Sequence, residues 1–250
     1  MGPVVIHWYS IVLLLAIGAG FLVVRTLAVQ RKLATSDHVY DLGFALILAA
    51  LVGARLYAVL LFWPEYAKDP LEIFKVWHGG MAIHGALIGG AAALWWFCRR
   101  QFSRFFQWGD VIVPALAIGQ AIGRWGNYFN QELFGPPTTL PWGIPIDAAN
   151  RPVEFASFEY FHPAFLYESL LNLGLFALLL WLLRKPRRIG TVGYTYLIGY
   201  GIIRFAMEFA RLDVTPVVAG VRWPIVVSIA LVAAGSVGLL VQPRSTTTTP

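Results

Sequence analysis

Residues 4–24 read VVIHWYSIVLLLAIGAGFLVV, an apolar run that contains no acidic residue, lysine or arginine. A helix needs about 20 such residues to cross the hydrocarbon core of a bilayer. No basic residue precedes the run, whereas Arg25, Arg31 and Lys32 follow it. This order predicts a retained membrane span and not a cleaved signal peptide.

Runs of the same kind recur along the chain. We predict spans at residues 4–25, 41–63, 80–98, 108–125, 163–183, 191–210 and 222–241. Only 13% of the residues are charged, against about 25% in a soluble domain. The sequence therefore predicts an all-α integral membrane protein with about seven transmembrane helices. Residues 1–244 are expected to form a single membrane-embedded domain, and 245–250 a disordered cytoplasmic tail.

The basic residues predict the orientation of these spans. They cluster after the first, third, fifth and seventh spans, which places every cluster on one side. The positive-inside rule assigns that side to the cytoplasm and the N-terminus to the outside. The net charge of +6 is thereby attributed to topology and not to nucleic-acid binding. The longest outer connection, about 126–162, holds five prolines and is expected to be an ordered extracytoplasmic loop region.

The densest polar segment, GRWGNYFNQELFG at 123–135, follows the fourth predicted span. Its glycines are expected to allow tight turns. Arg124 could grip a phosphate with two parallel hydrogen bonds, and Asn127 and Asn130 offer both donors and acceptors. Taken alone, Arg124 could instead be an arginine that reaches to the membrane interface. Glu132 and the two asparagines beside it favour a binding site.

Other polar residues fall inside or next to the spans. Arg204 and Glu208 are four residues apart and share a helical face, either as part of a site or as a structural ion pair. His84 could be a general base or a helix-packing hydrogen bonder. The remaining candidates are Arg55 within the second span, Asp110 and His162 as helix-start residues, and Glu168 about one turn inside the fifth span.

Several function classes are disfavoured. The sequence contains no glycine-rich nucleotide loop, no metal-ligand cluster and no serine in a nucleophile elbow. Its single cysteine, Cys98, allows neither an internal disulfide nor a cysteine-based metal site. The polar residues suit an anionic lipid. A lipid or small-anion transporter and a head-group transferase remain alternatives, although the latter needs acidic ligands on the cytoplasmic side, where only Asp110 is available.

The segment 123–135 resembles the signature of the bacterial phosphatidylglycerol–prolipoprotein diacylglyceryl transferases. That pattern is Gly-Arg-x-Gly-Asn, two apolar positions, Asn-x-Glu, two further residues and Gly, and every fixed position is met. Supporting matches cover almost the whole chain. They are His-Trp-Tyr at 7–9, Gly-Ala-Arg-Leu-Tyr at 53–57, His84-Gly85, the segment from His162-Pro163 to Glu168, and Tyr200 with Arg204 and Glu208.

The resemblance implies a bacterial inner-membrane enzyme with a seven-helix fold and an outward N-terminus. Such enzymes transfer the diacylglyceryl group of phosphatidylglycerol to the lipobox cysteine of a prolipoprotein, which is the first step of lipoprotein maturation. A thioether forms and glycerol phosphate leaves. The implied partners are phosphatidylglycerol, the prolipoprotein signal peptide and membrane lipid, with no nucleic acid, cofactor or metal.

The resemblance also implies roles for individual residues. The catalytic candidates are His84, Arg124, Tyr200, Arg204 and Glu208, and the substrate-binding candidates are Tyr9, Arg55, Asn127, Asn130, Glu132 and Glu168. The chain departs from the family at Ala86, where the family has glycine, and in its short C-terminal tail. We assign Arg124 and Arg204 to the phosphate, while the proton acceptor is left open between His84, Glu132 and Glu208.

Overall fold

Helices dominate this protein. The computed structural model describes residues 8–99, 102–185, 187–213, 215–218 and 220–242, so the expected tail at 245–250 lies outside the described residues. Within them the α-helices are α1 (Trp8–Gln30), α2 (Ser36–Leu61), α3 (Trp63–Tyr66), α4 (Ile83–Cys98), α5 (Phe102–Phe129), α6 (Ala164–Leu183), α7 (Thr191–Ala210) and α8 (Trp223–Val241).

The helices confirm the prediction of an all-α integral membrane protein. Five of those described are long and apolar enough to cross a bilayer, namely α1, α2, α5, α6 and α8. Their apolar side chains are largely exposed, with Phe44 73% and Leu240 84% accessible, as expected for surfaces that face lipid. Helix α4 has only 16 residues, and α7 is more polar. The count of about seven spans therefore stays a prediction.

Helix α5 differs most from its predicted bounds. We expected a short span at 108–125 followed by glycine turns, but the helix runs from Phe102 to Phe129 with Pro114 inside it. Gly123 and Gly126 are helical. At Gly126 an added Cβ would lie 2.7 Å from the Tyr9 ring, so this glycine admits a side chain from α1 and does not form a turn.

The chain divides into two compact units. One contains residues 25–108, and the other contains residues 8–24 and 109–242. In the first unit α2 packs closely on α4, because a Cβ on Gly53 would lie 2.3 Å from the Gly85 carbonyl oxygen. In the second unit α7 packs on α8 through Gly201 and Gly235. Small residues of this kind allow membrane helices to approach closely.

The connection between α5 and α6 is ordered, as predicted. Its strands β1 (Ile144–Pro145) and β2 (Tyr160–Phe161) pair antiparallel. Phe134, Ile146 and Phe161 form a buried cluster beneath them. A second short hairpin, β3 (Val217–Val218) with β4 (Val221–Arg222), precedes α8. The side of the membrane on which these connections lie remains a prediction.

Candidate active site

Backbone hydrogen bonds bring three polar segments of the second unit together. The Gly135 N–H donates to the His162 carbonyl (2.9 Å), and the Leu212 N–H donates to the Phe134 carbonyl (3.1 Å). The end of α5, the start of α6 and the end of α7 therefore meet. Gly135 is required at this junction because a Cβ there would lie 2.6 Å from the Ala210 carbonyl oxygen.

The predicted signature residues form one hydrogen-bonded chain. Arg124 donates from Nη1 to Asn127 Oδ1 (2.9 Å), and Asn127 donates from Nδ2 to Glu132 Oε1 (2.8 Å). Asn130 Nδ2 donates to the same carboxylate oxygen at 3.3 Å. Asn127 is buried, whereas Asn130 and Glu132 are exposed. The network therefore links a partly buried arginine to an exposed carboxylate.

The turn that holds Glu132 is conformationally strained. Gln131 and Leu133 have φ values of +51° and +57°, in the left-handed region that residues other than glycine rarely adopt. The Gln131 side chain accepts the Asp147 N–H (2.7 Å) and donates to Asp147 Oδ2 (2.9 Å). This contact with the ordered loop stabilises the turn.

Glu168 is the central buried anion of the site. It is 1% exposed, and its Oε1 pairs with Arg124 Nε at 3.0 Å. Its Oε2 accepts from Arg211 Nη1 at 3.4 Å. The predicted site omitted Arg211. The available signal was its spacing, because Arg211 follows Arg204 by seven residues and Glu208 by three, as helical neighbours would. In the structure Arg211 is the extended residue that directly follows α7.

Arg204 and Glu208 form the predicted ion pair, with 2.9 Å between Nη2 and Oε2. The other oxygen of Glu208 accepts from the Thr215 hydroxyl (2.8 Å) and lies 3.7 Å from Arg222 Nη1. Arg204 Nη1 is buried and has no hydrogen-bond partner among the described residues. A cavity of about 440 Å³, lined in part by Glu208, Arg211 and Arg222, opens beside this pair.

Two tyrosines complete the predicted residues of this unit. Tyr200 stacks on Tyr196 with ring centroids 5.8 Å apart, and it lies within electrostatic range of Glu168, Arg124, Arg204 and Arg211. Tyr9 packs its ring on Gly126, next to Asn127 in the chain. The second unit therefore gathers nine of the eleven predicted residues. They are Tyr9, Arg124, Asn127, Asn130, Glu132, Glu168, Tyr200, Arg204 and Glu208.

The other two predicted residues belong to the first unit. His84 is the second residue of α4, is exposed, and has its ring centroid 5.9 Å from that of Tyr57. Arg55 is 6% exposed and donates to backbone carbonyls of the connection between α2 and α4. Their functional roles stay predictions.

Two expected helix-start residues behave differently from each other. Asp110 lies within α5 and not at its start. Its carboxylate accepts the Gly190 N–H (2.6 Å) and the Gly193 N–H (2.8 Å) at the beginning of α7. Asp110 therefore binds the start of a helix, but that helix is α7 and not α5, for which it was predicted. His162 does precede α6, and its Nδ1 lies 3.0 Å from the Tyr167 hydroxyl.

The site is suited to binding an anion. Within the described residues no three His, Cys, Asp or Glu side chains are arranged to hold a metal ion. Arginines and carboxylates alternate through the network, and Arg204 retains a buried donor. Such a donor in a water-poor setting favours an oxyanion such as phosphate. The fold and the site together define a polytopic membrane protein with arginines and carboxylates gathered in one buried network.

Comparisons with known proteins identify the family. A sequence model of the prolipoprotein diacylglyceryl transferase family matches residues 1–241, and the chain belongs to this family. Proteins named phosphatidylglycerol–prolipoprotein diacylglyceryl transferase from Synechococcus elongatus and Synechocystis sp. are 44% and 45% identical to it. These alignments cover 96% of this chain and 84% and 86% of the relatives. A protein of the same name from Gloeobacter violaceus is 45% identical, with 96% and 89% covered.

Proposed function

We propose that this chain transfers the diacylglyceryl group of phosphatidylglycerol to the lipobox cysteine thiol of a prolipoprotein, and that Arg124 and Arg204 hold the phosphate. Family membership supports the activity. The buried donor at Nη1 of Arg204, which has no partner among the described residues, is the observation that supports the phosphate assignment. The cavity beside Glu208 offers adjoining space for a polar head group.

The reaction displaces phosphate from an sp3 carbon of the lipid glycerol. A carbon–sulfur bond forms, the carbon–oxygen bond to phosphate breaks, and glycerol phosphate leaves with the electron pair. Negative charge grows on the phosphate as that bond breaks. Positively charged donors that are already fixed in place stabilise this charge more effectively than water does. Glu168 and Glu208 each pair with one of the two arginines and thereby fix their guanidinium planes.

The assignment predicts the effect of replacing Arg204 with lysine. Lysine keeps the charge but loses the planar fork that serves Glu208 and a phosphate together. Loss of one such donor reduces turnover by about 100-fold or more. The assay incubates membranes with phosphatidylglycerol and a lipobox peptide, and mass spectrometry detects the thioether-linked diacylglyceryl group.

The exposed Arg184, which follows α6, provides a matched control. Arg184→Lys should retain wild-type turnover in the same membranes. Near-normal turnover by Arg204→Lys would contradict the phosphate assignment. If wild-type membranes form no thioether product but move the lipid across the bilayer, the transporter alternative is favoured instead.

The thiol must lose its proton before it attacks, since its ordinary pKa is about 8.5. We assign this proton to His84, because a neutral imidazole can accept a proton and the resemblance implies a role for it. Glu132 and Glu208 already accept hydrogen bonds from Asn127 and Thr215, which makes them less suited to the task.

His84→Gln should lower turnover about 100-fold or more and remove the acidic limb of the pH–rate profile, because glutamine cannot accept the proton. The measurement is a profile of kcat against pH for both proteins. An unchanged acidic limb in His84→Gln would transfer the role to one of the carboxylates.

The particular membrane and the orientation of the chain within it are also proposals. We place the chain in the bacterial inner membrane with its N-terminus outside and its C-terminus in the cytoplasm. The support is the distribution of basic residues, which follow the first, third, fifth and seventh of the predicted spans. In this orientation the signature turn and the ordered loop lie on the outer side.

A further inference from the structure

Arg55 is saturated with hydrogen bonds to the main chain. Nε donates to the Ile73 carbonyl (2.9 Å), and Nη1 donates to the carbonyls of Gly79 (2.5 Å) and Gly80 (3.0 Å). Nη2 donates to the carbonyl of Glu72 and, over a longer distance of 3.5 Å, to that of Lys75. A guanidinium has five N–H donors, and five carbonyls receive them here. None is left for a phosphate.

The five acceptors lie in or next to two short 3-10 helices. Glu72 and Ile73 belong to the helix Pro70–Phe74, Lys75 follows it, and Gly79 and Gly80 follow the helix Val76–His78. The carbonyls of Glu72 and Lys75 also accept the N–H groups of Lys75 and His78 (3.1 Å each). The same segment exposes Leu71, Phe74 and Trp77 by 69–76% between two apolar helices. Near lipid, an unsatisfied backbone carbonyl is strongly unfavourable, so one guanidinium stabilises the whole connection.

This connection leads directly to His84. Gly79 and Gly80 have φ values of +89° and +71° and turn the chain against Arg55. The Ala82 N–H then donates to the carbonyl of Ala54 at 3.1 Å, one residue before Arg55. Helix α4 begins at Ile83, so the backbone entering it is fixed to α2 on either side of the glycine turn.

We propose that Arg55 is a positioning residue, which fixes the connection 62–82 against α2 and thereby sets the place of His84. The guanidinium acts through backbone carbonyls and does not contact the lipid phosphate, in contrast to the substrate-binding role that the sequence predicted. The consequence for catalysis rests on the proposed function of His84. The effect on the connection itself does not.

Proteolysis tests the connection without any assay of activity. The chain has four lysines, of which Lys68 and Lys75 lie in the connection and Lys32 and Lys185 lie elsewhere and are exposed. In the full chain purified in detergent, a lysine-specific protease should cut after Lys75 slowly in the wild type. Arg55→Gln should raise the rate at Lys75, relative to that at Lys32, by about tenfold or more, because the connection opens locally.

Two variants serve as controls. Arg151 also donates to backbone carbonyls, those of Ile146 and Ala156, but in the other unit, so Arg151→Gln should leave the Lys75 to Lys32 ratio unchanged. Arg55→Lys supplies three donors and should give an intermediate ratio. It also replaces Arg55→Gln in the test if that variant does not accumulate. If the Arg55 variant used in the test gave the same cleavage-rate ratio as the wild type, the proposal would be overturned.

Kinetics separate positioning from direct binding. A positioning residue lowers kcat, so Arg55→Gln should reduce kcat about tenfold or more with little change in the KM for phosphatidylglycerol, and Arg55→Lys should recover part of it. A raised KM at unchanged kcat, with Lys75 still protected, would show that Arg55 binds the phosphate and would overturn the proposal. If the wild type performs no transfer, the proposed function fails, while the proteolysis result still decides the role of Arg55 in the connection.

Discussion

Arg204 and Arg211 lie seven residues apart but differ in their remaining hydrogen-bonding capacity. Arg211 is paired with both oxygens of Asp213 (2.8 and 3.2 Å) and with Glu168. Arg204 uses Nη2 for Glu208 and keeps Nη1 without a partner among the described residues. A ligand can therefore gain a charged hydrogen bond from Arg204 without breaking an existing pair, whereas Arg211 serves to hold Glu168.

At the residue scale we predict the effect of neutralising Glu168. Glu168→Gln keeps the shape of the side chain but removes the negative charge between Arg124 and Arg211. Breaking a buried ion pair from one side destabilises a protein by about 3–5 kcal/mol, because the remaining charge is uncompensated. Thermal unfolding in detergent should show a clearly lower Tm, and transferase activity should fall with it.

Glu154→Gln is the matched control, because Glu154 is exposed in the loop between α5 and α6. Its effect on the free energy of unfolding should stay within about 0.5 kcal/mol. Equal stability of the two variants would mean that Arg124 and Arg211 do not need Glu168 as their counter-charge.

Some of this site could be predicted from the sequence and some could not. Arg204 and Glu208 are four residues apart, so local spacing was sufficient to predict their pairing. Glu168 and Arg211 are 43 residues apart, and no local pattern connects them. Arg55 was predicted to bind substrate, but a buried arginine within a span has the same sequence pattern whether it binds a ligand or backbone carbonyls.

At the scale of helices, the packing of α2 on α4 depends on glycines that face each other. A Cβ on Gly85 would lie 2.2 Å from the Gly53 carbonyl oxygen. Gly85→Ala must separate the two helices, and overpacking of this kind destabilises by about 1–3 kcal/mol. Because Gly85 follows His84, turnover should fall as well. The measurements are Tm in detergent and kcat with the lipobox peptide.

Gly90 lies on the same helix but has no atom within 4 Å of its added Cβ. Gly90→Ala should therefore be neutral or should stabilise α4 by up to about 1 kcal/mol, since alanine is the better helix former. If Gly85→Ala were as stable and active as Gly90→Ala, close contact with α2 would not be required.

The bounds of the helices were predictable to the extent that hydrophobicity decides them. Apolar runs predicted α6, α7 and α8 to within one residue at either end. The predicted end of α5 was wrong because glycines and asparagines favour turns locally, whereas here Gly126 remains helical and makes room for Tyr9. Asp110 was misassigned for a related reason, since its partners Gly190 and Gly193 are about 80 residues away in the sequence.

At the scale of the whole molecule, the orientation depends on whether α4 and α7 cross the membrane. Helix α4 is short, and α7 contains Arg204 and Glu208, so hydropathy alone leaves both outside the set of five apolar spans. The pairing of Arg204 with Glu208 lowers the free energy of placing these charges in a bilayer. We therefore expect α7 to span, and for α4 the expectation rests on the apolar run at 80–98.

Alkaline phosphatase fusions, which are active only outside the cytoplasm, test this orientation. Fusions after residues 150 and 215 should be active, and fusions after residues 99, 185 and 242 should be inactive. The critical comparison is between residues 185 and 215, because only α7 separates them. Equal activity at these two positions would mean that α7 does not cross. The basic residues 184–188 and the C-terminus would then lie on opposite sides, against the positive-inside rule.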